Sequence, residues 1–548
     1  MKIFYCSLSI LIHLFITEAK AQERNNVQLF LSALDSIRIS LKIPGMAVAV
    51  MKEDSTLLND GLGFADLKNK IKVTPNTTFR IASITKTFTS TLIMQLVEQG
   101  KLTLQTPISK FGIDLGDPNI KVKNLLTHTS EIEPGKYYQY NGYRYGKLGQ
   151  VIEKVSGIPF YQLLMQNIVK PLNMNFTAPG LPIHDSLFDF DMYTKNHPEM
   201  LPFFENSFSH LAKAYDVNDK EEIVETQYLD EFGAFGGLAT NVTDLLKYSK
   251  AIDSNEFVSA KTQQEIFTPN RTTNGEITPY GLGWFTQNYK GIDFYWHYGQ
   301  TQGESGLFVK VSSMKLTLAV LTNSIKLSSP FPLGDGDLLI SPVGQLFYKC
   351  FVNKDDAVSG IDFSQPINEI RKEIKEHFKS EYKDFYNKEI ISEATIDNFK
   401  GDTASAKKLY NLYAELNFKN IQIRKYNSIV AQINDVGINQ EISKKFVLKK
   451  PTKIQITGIG ENCSGDFKSW CDYGWIEDTE GKIIWRMQTQ PAVPAGGAVK
   501  NQKVETVITL LAGTYILKYK SDSGHAYDNW DSLPPDNFIW GITLSLID

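Results

Sequence analysis

The sequence predicts an α+β domain, in which helices and a helical subdomain flank an antiparallel sheet, followed by a small helical region and a C-terminal β-sandwich. Apolar and polar residues alternate in 44–64 and again in 294–323, which is typical of strands. Between them, apolar positions in 83–99 and 145–156 recur every three or four residues, which is typical of helices. Because strands occur at both ends of this segment, we expect one sheet assembled from both ends.

The composition changes near residue 350, and the chain of 548 residues is too long for a single core. We therefore predict a first domain at 22–350 and a helical linker or domain at 351–440. Helical spacing of apolar residues in 364–378 and 403–418 supports the second region. Strand-like runs separated by turn signals predict a β-sandwich at 441–548.

The first residues have the features of a secretory signal peptide. Lys2 precedes a short apolar run, and the small residues Ala19 and Ala21 follow it, so residues 1–21 are expected to be removed before Gln22. The apolar run is shorter than a bilayer span, which makes a retained anchor the less favoured alternative. The prediction is a periplasmic or extracellular protein whose mature chain has no membrane span.

Charge and cysteine content exclude several function classes. The net charge is −4 with no long basic run, which gives no reason to expect nucleic-acid binding. Cys463 and Cys471 are eight residues apart, and either a disulfide or two free thiols is compatible with a third cysteine at Cys350. Neither a CxxC nor an HExxH motif is present, so the sequence predicts no metal and no cofactor.

The stretch FRIASITKTFTS places Ser83 and Lys86 three residues apart in the first predicted helix. A serine hydroxyl needs a base within hydrogen-bond reach, and residues i and i+3 of a helix share a face. Burial near a helix N-terminus would favour a neutral lysine and could stabilise an oxyanion. Taken alone, the pair is more typical of a helix cap and a surface lysine.

Five further stretches accompany this helix in a fixed order, and together they resemble one family. The stretches are LLTHTS (125–130), YNGYRYGKLGQVIEKVSG (140–157), FGGLATNVTDLLKY (235–248), YGLGW (280–284) and HYGQTQGESG (297–306). With the Ser-x-x-Lys pair, they resemble the serine β-lactamase and penicillin-binding-protein superfamily. The similarity is to the branch that contains class C β-lactamases, D-alanyl-D-alanine carboxypeptidases and related esterases, and it covers residues 30–345.

The resemblance implies a role for three residues in catalysis. Ser83 matches the acylated nucleophile of the family, and Lys86 matches its partner in proton transfer. Counting back from Leu148 in the following helix places Tyr140 at the family's tyrosine, where a phenolate-leaning ring beside a lysine would be a base. Tyr138 is the alternative within the same aromatic run.

The sequence departs from the family pattern after Tyr140. The family's asparagine position is Gly142, and Asn141 is the neighbouring residue that we expect to compensate as a substrate contact. Because that asparagine holds the acyl side-chain amide of the family's substrates, the change argues against β-lactam or D-Ala-D-Ala recognition of the usual kind.

A second departure lies in the last stretch, where His297-Tyr298-Gly299 replaces the Lys-Thr-Gly of the lactamases. His297 is expected to titrate near neutrality, and Gly299 is expected to let a substrate backbone lie against the strand. The resemblance implies that the backbone N–H groups of Gln300 and Ser83 form the oxyanion hole. His128, in LLTHTS, is interpreted as a structural histidine bonded to nearby backbone.

These observations favour a secreted serine hydrolase that acts on an amide or ester, with peptidoglycan-derived D-amino-acid peptides as the suggested substrates. A catalytically inactive binding protein and a true β-lactamase are the alternatives. The expected partner is a small-molecule or peptide substrate. A cell-wall or carbohydrate contact through the C-terminal domain is a weaker hypothesis, because its tryptophans could equally be core residues. These tryptophans are Trp475, Trp485, Trp530 and Trp540.

Overall fold

A computed structural model describes most of the chain from residue 23 to residue 546. The residues that it leaves undescribed within this range are 132, 181–193, 219, 221, 229–231, 354–360, 378–381, 419–428, 463–469, 491, 496–499, 528–534 and 536–539. The predicted signal segment 1–21 lies outside the described residues. The chain divides into two compact units near residue 355, with Pro330–Asp335 grouped with the second.

The first unit is built on a seven-stranded antiparallel sheet. Its order is β3-β2-β1-β12-β11-β10-β9. The central pair joins the two ends of the domain, since Met46 of β1 lies opposite Thr322 of β12. The prediction of one antiparallel sheet assembled from both ends is therefore confirmed. The strands of this unit are β1 Gly45–Lys52, β2 Ser55–Asp66, β3 Ile71–Lys72, β4 Phe79–Arg80, β5 Ala178–Pro179, β6 Tyr215–Val217, β7 Ile223–Glu225, β8 Leu238–Thr240, β9 Phe285–Tyr289, β10 Ile292–Thr301, β11 Glu304–Val311 and β12 Leu316–Thr322.

Helices cover this sheet and form the helical subdomain. They are α1 at 23–40, α2 Thr85–Glu98, α3 Val122–Leu126, α4 Gly142–Gly146, α5 Leu148–Ser156, α6 Phe160–Leu164, α7 Leu201–Ser209, α8 Val242–Asp253, α9 Ala260–Phe267 and α10 Pro342–Phe347. Helix α2 is buried on nearly all sides, including its threonines and Lys86. A helix that is buried all round belongs to the interior of a domain, so α2 holds its side chains in fixed positions.

A small sheet fixes the chain just before α2. Strand β8 lies between β4 and β5, and Arg80 of β4 is opposite Ala239 of β8. The backbone N–H of Ile81 then donates to the carbonyl of Leu238 at 2.8 Å. The residues that lead into α2 are therefore held by backbone hydrogen bonds to β8.

The second unit begins with three helices, α11 Ile367–His377, α12 Lys383–Phe399 and α13 Thr403–Phe418. The outer two were expected from their apolar spacing, and Ile370, Ile374, Leu409 and Leu412 are buried. The middle helix was not predicted. Its apolar positions have weak helical periodicity because buried Glu389 and Ser392 interrupt them.

Two antiparallel sheets follow the helices. One has the order β13-β21-β15-β19-β18 and the other the order β14-β20-β16-β17. Their buried faces meet, since a Cβ on Gly474 of one sheet would lie 2.9 Å from Ile542 of the other. The strands are β13 Ile429–Ile433, β14 Glu441–Leu448, β15 Thr452–Glu461, β16 Tyr473–Asp478, β17 Ile483–Arg486, β18 Val493–Pro494, β19 Asn501–Leu510, β20 Gly513–Lys520 and β21 Gly541–Leu546. Strand β13 lies before residue 441, so the first strand precedes the predicted start of the β-sandwich.

The cysteines and tryptophans of this unit resolve part of what the sequence left open. Cys471 is in a disulfide bond, whereas Cys350 is a free thiol. Cys463, the proposed disulfide partner of Cys471, lies outside the described residues. Trp485 and Trp540 are buried in the core, and Trp475 is partly exposed. Trp530 lies outside the part of the chain that the structure describes.

Within the described residues, no helix combines the length and the apolar character needed to cross a bilayer.

Candidate active site

Ser83 lies on a short 3-10 turn, Ala82–Ile84, that leads directly into α2. The turn is held from both sides, since Thr85 donates a side-chain hydrogen bond to the carbonyl of Ala82 at 2.7 Å and accepts one from the N–H of Leu238 at 3.2 Å. Ala82 has a φ of 42°, a left-handed conformation that is costly for a residue with a Cβ. Ser83 itself is only partly buried, so its hydroxyl is presented at the end of a fixed turn.

Lys86 is completely buried and contacts Ser83. Its Nζ lies 2.7 Å from Ser83 Oγ and 2.7 Å from the carbonyl oxygen of Phe235. Both contacts are neutral oxygens, and burial lowers the pKa of Lys86 to about 7. A large fraction of the amine is therefore neutral at neutral pH and able to take the Ser83 proton. The alternative of a helix cap and a surface lysine is wrong.

Tyr140 completes this cluster, with its ring centroid 5.2 Å from Lys86 Nζ. Burial, followed by the nearby Tyr298, raises the pKa of Tyr140 well above its usual value, and a contact with Ser83 only partly opposes this. The phenol is therefore held neutral, and the expected phenolate character is wrong. Tyr138, the sequence-based alternative, instead lies against the ring of His128.

Gly142 lies beside Lys86, at the position that the resemblance assigns to the family's asparagine. A Cβ built on Gly142 would be 3.8 Å from Lys86 Nζ, an ordinary contact distance. Asn141 does not fill this space. Its side chain caps α4 by accepting from the N–H of Arg144 at 2.9 Å, and its amide donates to Glu131 at 2.6 Å. This geometry gives Asn141 a capping role rather than one in contact with the lysine.

His297 is buried and hydrogen-bonded through both ring nitrogens. Nδ1 lies 2.6 Å from the carbonyl oxygen of Tyr298 and must therefore donate to it, so Nε2, at 2.8 Å, accepts from the hydroxyl of Tyr280. Burial and the charge of Lys86 lower the pKa of His297 to about 3. The expectation of a group that titrates near neutrality is wrong, because the sequence did not show that this position is enclosed.

Gly299 is required because the backbone that precedes Ser83 passes close to it. A Cβ at this position would lie 2.3 Å from the carbonyl oxygen of Ile81, which no side chain can occupy without moving the backbone. The absent side chain thus lets strand β10 approach the turn that carries the nucleophile. Whether a substrate backbone also lies against this strand stays a prediction.

Ser83 and Gln300 line one cavity of about 200 Å³. Its other lining residues are Arg80, Ala82, Phe235, Gly236, Gly237, Thr301 and Glu304. The cavity therefore lies between the end of β10, the start of β11 and the turn at the beginning of α2. This arrangement is compatible with an oxyanion hole made by the N–H groups of Ser83 and Gln300, which stays a prediction.

His128 has the structural position that the sequence suggested. Its Nδ1 accepts from the N–H of Asn141 at 3.1 Å, and its ring lies 4.2 Å from that of Tyr140, between centroids. Burial, then the charges of Lys86 and His297, lower the pKa of His128 well below its usual value. His128 is therefore a neutral histidine that hydrogen-bonds the backbone and packs against the ring of Tyr140.

Two contributors to the site were missed by sequence reasoning, namely the Phe235 carbonyl and the Tyr280 hydroxyl. Both lie inside stretches that matched the family, FGGLATNVTDLLKY and YGLGW. Their position within these motifs was the only sequence signal for the two groups. Their roles could not be predicted, because the bond to the Phe235 carbonyl and the bond between Tyr280 and His297 depend on tertiary contacts.

A group of carboxylates that could hold a cation lies elsewhere, in the second unit. Glu461, Asp472 and Asp522 each place one oxygen within 4.8 Å of the others. Protein groups already bind two of them, since Lys500 pairs with Glu461 at 3.1 Å and the Trp540 indole donates to Asp472 at 2.6 Å.

Comparison with known proteins was made over the whole chain. Residues 23–334 match the Beta-lactamase family. Penicillin-binding protein 4* of Bacillus subtilis (strain 168) is 24% identical over 313 residues, which cover 49% of this chain and 65% of that protein. Protein flp of Staphylococcus aureus (strain MW2) is 25% identical over 322 residues, or 51% of this chain and 60% of that protein. The chain thus spans less than two thirds of these relatives' lengths.

Solved structures show similarities in the same part of the chain. The octameric penicillin-binding protein homologue from Pyrococcus abyssi is 25% identical, with a TM-score of 0.48 and coverage of 55% of this chain and 74% of that one. The D-amino acid amidase from Ochrobactrum anthropi SV3, complexed with L-phenylalanine amide, is 21% identical, with a TM-score of 0.45 and coverage of 55% and 91%.

The fold and the Ser-x-x-Lys pair, with its buried lysine, are typical of the serine β-lactamase and penicillin-binding-protein superfamily. Because the matched region 23–334 is more than half of the 548 residues, the chain belongs to the Beta-lactamase family. The resemblance inferred from the ordered motifs is confirmed.

Proposed function

We propose that this protein hydrolyses an amide or ester through an acyl-enzyme on Ser83. The observation that carries the proposal is the 2.7 Å contact between Ser83 Oγ and the Nζ of a buried lysine whose pKa is about 7. A serine with an adjacent neutral amine is an activated nucleophile, whereas a serine beside a protonated lysine is not.

In the first step, Ser83 Oγ attacks the substrate carbonyl and its proton passes to the neutral amine of Lys86. The tetrahedral oxyanion accepts hydrogen bonds from the backbone N–H groups of Ser83 and Gln300. The carbonyl of Phe235 accepts a hydrogen bond from Lys86 and fixes its direction throughout this transfer.

In the second step, the bond to the leaving group breaks and that group takes a proton. Tyr140 is neutral and lies beside Lys86, so it donates this proton and recovers one from the Lys86 ammonium. Water then attacks the acyl-enzyme with Lys86 as base, and the acid product leaves with Ser83 restored.

We further propose D-amino-acid peptides derived from peptidoglycan as substrates. The similarity to penicillin-binding protein 4* and the Ser-x-x-Lys pair of this chain support this class. Two features argue against a true β-lactamase. Gly142 leaves open the space beside Lys86, and the neutral His297 provides no cation for a substrate carboxylate.

A fluorophosphonate probe, followed by a substrate panel, tests this proposal. We expect the probe to label the wild-type protein and not Ser83→Ala, with both proteins folded by circular dichroism. The panel contains esters, D-aminoacyl amides and a chromogenic cephalosporin. Turnover of the first two supports the proposal, whereas fast cephalosporin hydrolysis alone would identify a β-lactamase. A folded wild-type protein that is not labelled would indicate the inactive binding protein.

The disulfide at Cys471 supports action outside the cytoplasm, since disulfides persist in oxidising compartments. Fractionation of the native host followed by thiol alkylation checks this. We expect the protein in the periplasmic or extracellular fraction with Cys471 unmodified. Cytoplasmic protein with an alkylated Cys471 would contradict it.

A carbohydrate contact through the second unit is a further candidate function. Tyr473 and Trp475 are both partly exposed on β16, with ring centroids 5.7 Å apart, and Lys518 and Lys520 of β20 lie beside them. Flat aromatic rings with polar groups at their edges suit a sugar face. We expect co-sedimentation with insoluble peptidoglycan that the double variant Tyr473→Ala, Trp475→Ala loses. Val507→Ala, on another exposed strand position, is the control.

A further inference from the structure

The cavity beside Ser83 contains a buried carboxyl group that the proton transfers described above do not use. Glu304, the first residue of β11, lines this cavity of about 200 Å³ together with Ser83 and Gln300. Its side chain is 3% exposed. Gln300 pairs with Ser305 across the β10–β11 ladder, so Glu304 is next to the strand position that borders the nucleophile. A group bound against Glu304 therefore occupies the same small space as a group attacked by Ser83.

The hydrogen-bonding capacity of Glu304 is only partly used. Its Oε2 is buried and accepts no hydrogen bond from any of the described residues. Nε of Arg80 lies 3.7 Å from this oxygen, which is beyond hydrogen-bond distance, and the Arg80 guanidinium also lies over the ring of Tyr228, 5.5 Å from its centroid. A carboxylate offers about four acceptor sites, and a buried acceptor left unused is costly. The arrangement is therefore suited to a donor that comes from outside the protein.

The charge state of Glu304 favours a cationic donor. Burial raises the pKa of Glu304 to about 8, and the charge of Arg80 only partly opposes this. The group is thus close to its ionisation point at neutral pH, and an ammonium group beside it would favour the carboxylate form. Hydrogen bonds between an ammonium and a carboxylate are about twice as strong as those between neutral groups. An ammonium is therefore the donor that gains most from this position.

Two other features of the site remove the family's usual means of holding a substrate. Gly142 has no side chain to bond the amide of an N-acylated substrate, which is the role that the resemblance gives to the family's asparagine. His297 is neutral, with a pKa of about 3, so it provides no cation for a substrate carboxylate. Of these three positions, only Glu304 offers a partner for a charged substrate group, and that group is an amine.

We propose that Glu304 binds the α-ammonium group of an aminoacyl substrate while Ser83 attacks the carbonyl of the same residue. The α-nitrogen is two bonds from that carbonyl carbon, so an α-amine suits two protein groups that share one small cavity. The substrates are then amino-acid amides and esters, or peptides with a free N-terminus, from which water releases the first residue as a free amino acid. This inference rests on the proposed acyl-enzyme function.

Three chromogenic anilides with the same leaving group test the proposal. D-Alanine p-nitroanilide carries the amine, isobutyryl p-nitroanilide has a methyl group in its place, and N-acetyl-D-alanine p-nitroanilide has an uncharged amide. We expect kcat/KM for the first to exceed that for each of the others by at least about 100-fold, because a buried polar group rejects analogues that leave it unpaired. Equal values for the amine and its methyl analogue would overturn the proposal.

A charge-removing variant assigns this selectivity to one residue. Glu304→Gln keeps the size of the side chain, and we expect it to lower the ratio of amine to N-acetyl turnover at least about tenfold, because a hydrogen bond between charged groups is lost. Rates are expressed per fluorophosphonate-labelled active site. Glu256→Gln, at an exposed position outside the cavity, is the matched control and should keep the wild-type ratio. An unchanged ratio in Glu304→Gln would overturn the role of Glu304.

Ligand binding to Ser83→Ala separates this proposal from the acyl-enzyme itself. Calorimetry with D-alaninamide, and with isobutyramide as its methyl analogue, needs no turnover and decides even if Glu304→Gln does not fold. We expect D-alaninamide to bind at least about tenfold more tightly than isobutyramide. Equal binding of the two amides, or no binding of D-alaninamide, would overturn the proposal. A wild-type protein that fluorophosphonate does not label would instead overturn the acyl-enzyme and leave the binding result to stand alone.

Discussion

Among the described residues of the first unit, two lysines are fully buried, and they have opposite surroundings. Lys310, on β11, pairs with Asp253 at 2.9 Å and also contacts Ser249. Lys86, on α2, contacts two neutral oxygens. Burial lowers the pKa of both, but the carboxylate of Asp253 opposes the effect at Lys310.

The comparison separates a lysine that supports the fold from one that supports chemistry. The ion pair with Asp253 favours the protonated form of Lys310 and occupies its amine. Lys86 has no such counter-charge among its contacts, and its amine is available at neutral pH. Burial alone is thus a poor indicator of a reactive lysine, and the identity of the contacting atoms decides.

The largest expected effect is the loss of acylation in Lys86→Met. We expect kcat/KM to fall by at least about 1,000-fold, because the proton acceptor of Ser83 is removed. Fluorophosphonate labelling and ester turnover measure this. Lys310→Met is the matched control and should keep near wild-type activity per folded molecule. Similar losses in both variants would contradict the separation of roles.

In stability, the order of the two variants should be reversed, with Lys310→Met more strongly affected than Lys86→Met. Lys310→Met leaves the partly buried carboxylate of Asp253 without its partner, and we expect a loss of about 3 kcal/mol in the free energy of unfolding. Lys86→Met removes a group whose charge is unfavourable in the fold, so its stability should stay within about 1 kcal/mol of wild type. Urea unfolding followed by circular dichroism checks both values. Equal destabilisation would show that Lys86 is also paired.

A third prediction concerns pH. The pKa of Lys86 falls from 10.5 to about 7 in the fold, so its neutral fraction, and with it the acylation rate, should rise as pH increases through about 7. The unfolded state binds more protons between these two values, so the Lys86 contribution to stability also rises with pH there. The rate profile from pH 5 to 9 measures the first effect.

Two other titratable groups of the site do not obscure this ionisation, whereas a third overlaps it. His297, with a pKa of about 3, and Tyr140, whose pKa is raised well above its usual value, stay neutral throughout the range. Glu304 does titrate within it, with a pKa of about 8, so the profile should be repeated with Glu304→Gln. A limb near 7 that persists in this variant belongs to Lys86, and its disappearance would assign it to Glu304.

The smallest effect is expected from Gly142→Asn. The Cβ of the new asparagine would lie 3.8 Å from Lys86 Nζ, so its amide would be within reach of the lysine. The amide oxygen would accept a hydrogen bond from the ammonium form of Lys86. A hydrogen bond to a charged group should raise the pKa of Lys86 and move the acid limb up by about one pH unit. Gly142→Ala fills the same space without an acceptor and should leave the limb in place. A shift in both variants would point to a packing effect.

The sequence predicted those features that depend on local spacing or on the order of motifs. The Ser83–Lys86 pair is set by helical geometry, and the joining of β1 to β12 follows from strands at both ends of a helical segment. The end of α5 at Gly157, with a φ of 74°, was likewise visible as a glycine after an apolar period.

Features that depend on enclosure were not predicted. The neutral state of His297 arises from the Tyr280 hydroxyl, 17 residues earlier in the chain, and from burial under several rings. The neutral state of Tyr140 has the same origin. Asn141 was interpreted from its closeness to Gly142, but its side chain follows the capping preference of a helix start. In each case the residue type was visible and its surroundings were not.

The low pKa of Lys86 has a consequence for inhibitor chemistry. At neutral pH most surface lysines are protonated and react slowly with electrophiles, whereas Lys86 presents a free amine. Ser83 lines the cavity, and its hydroxyl lies 2.7 Å from the amine of the buried Lys86. Reagents with two electrophilic centres could bridge them, and selectivity over other proteins would then come from the protonation state of one side chain.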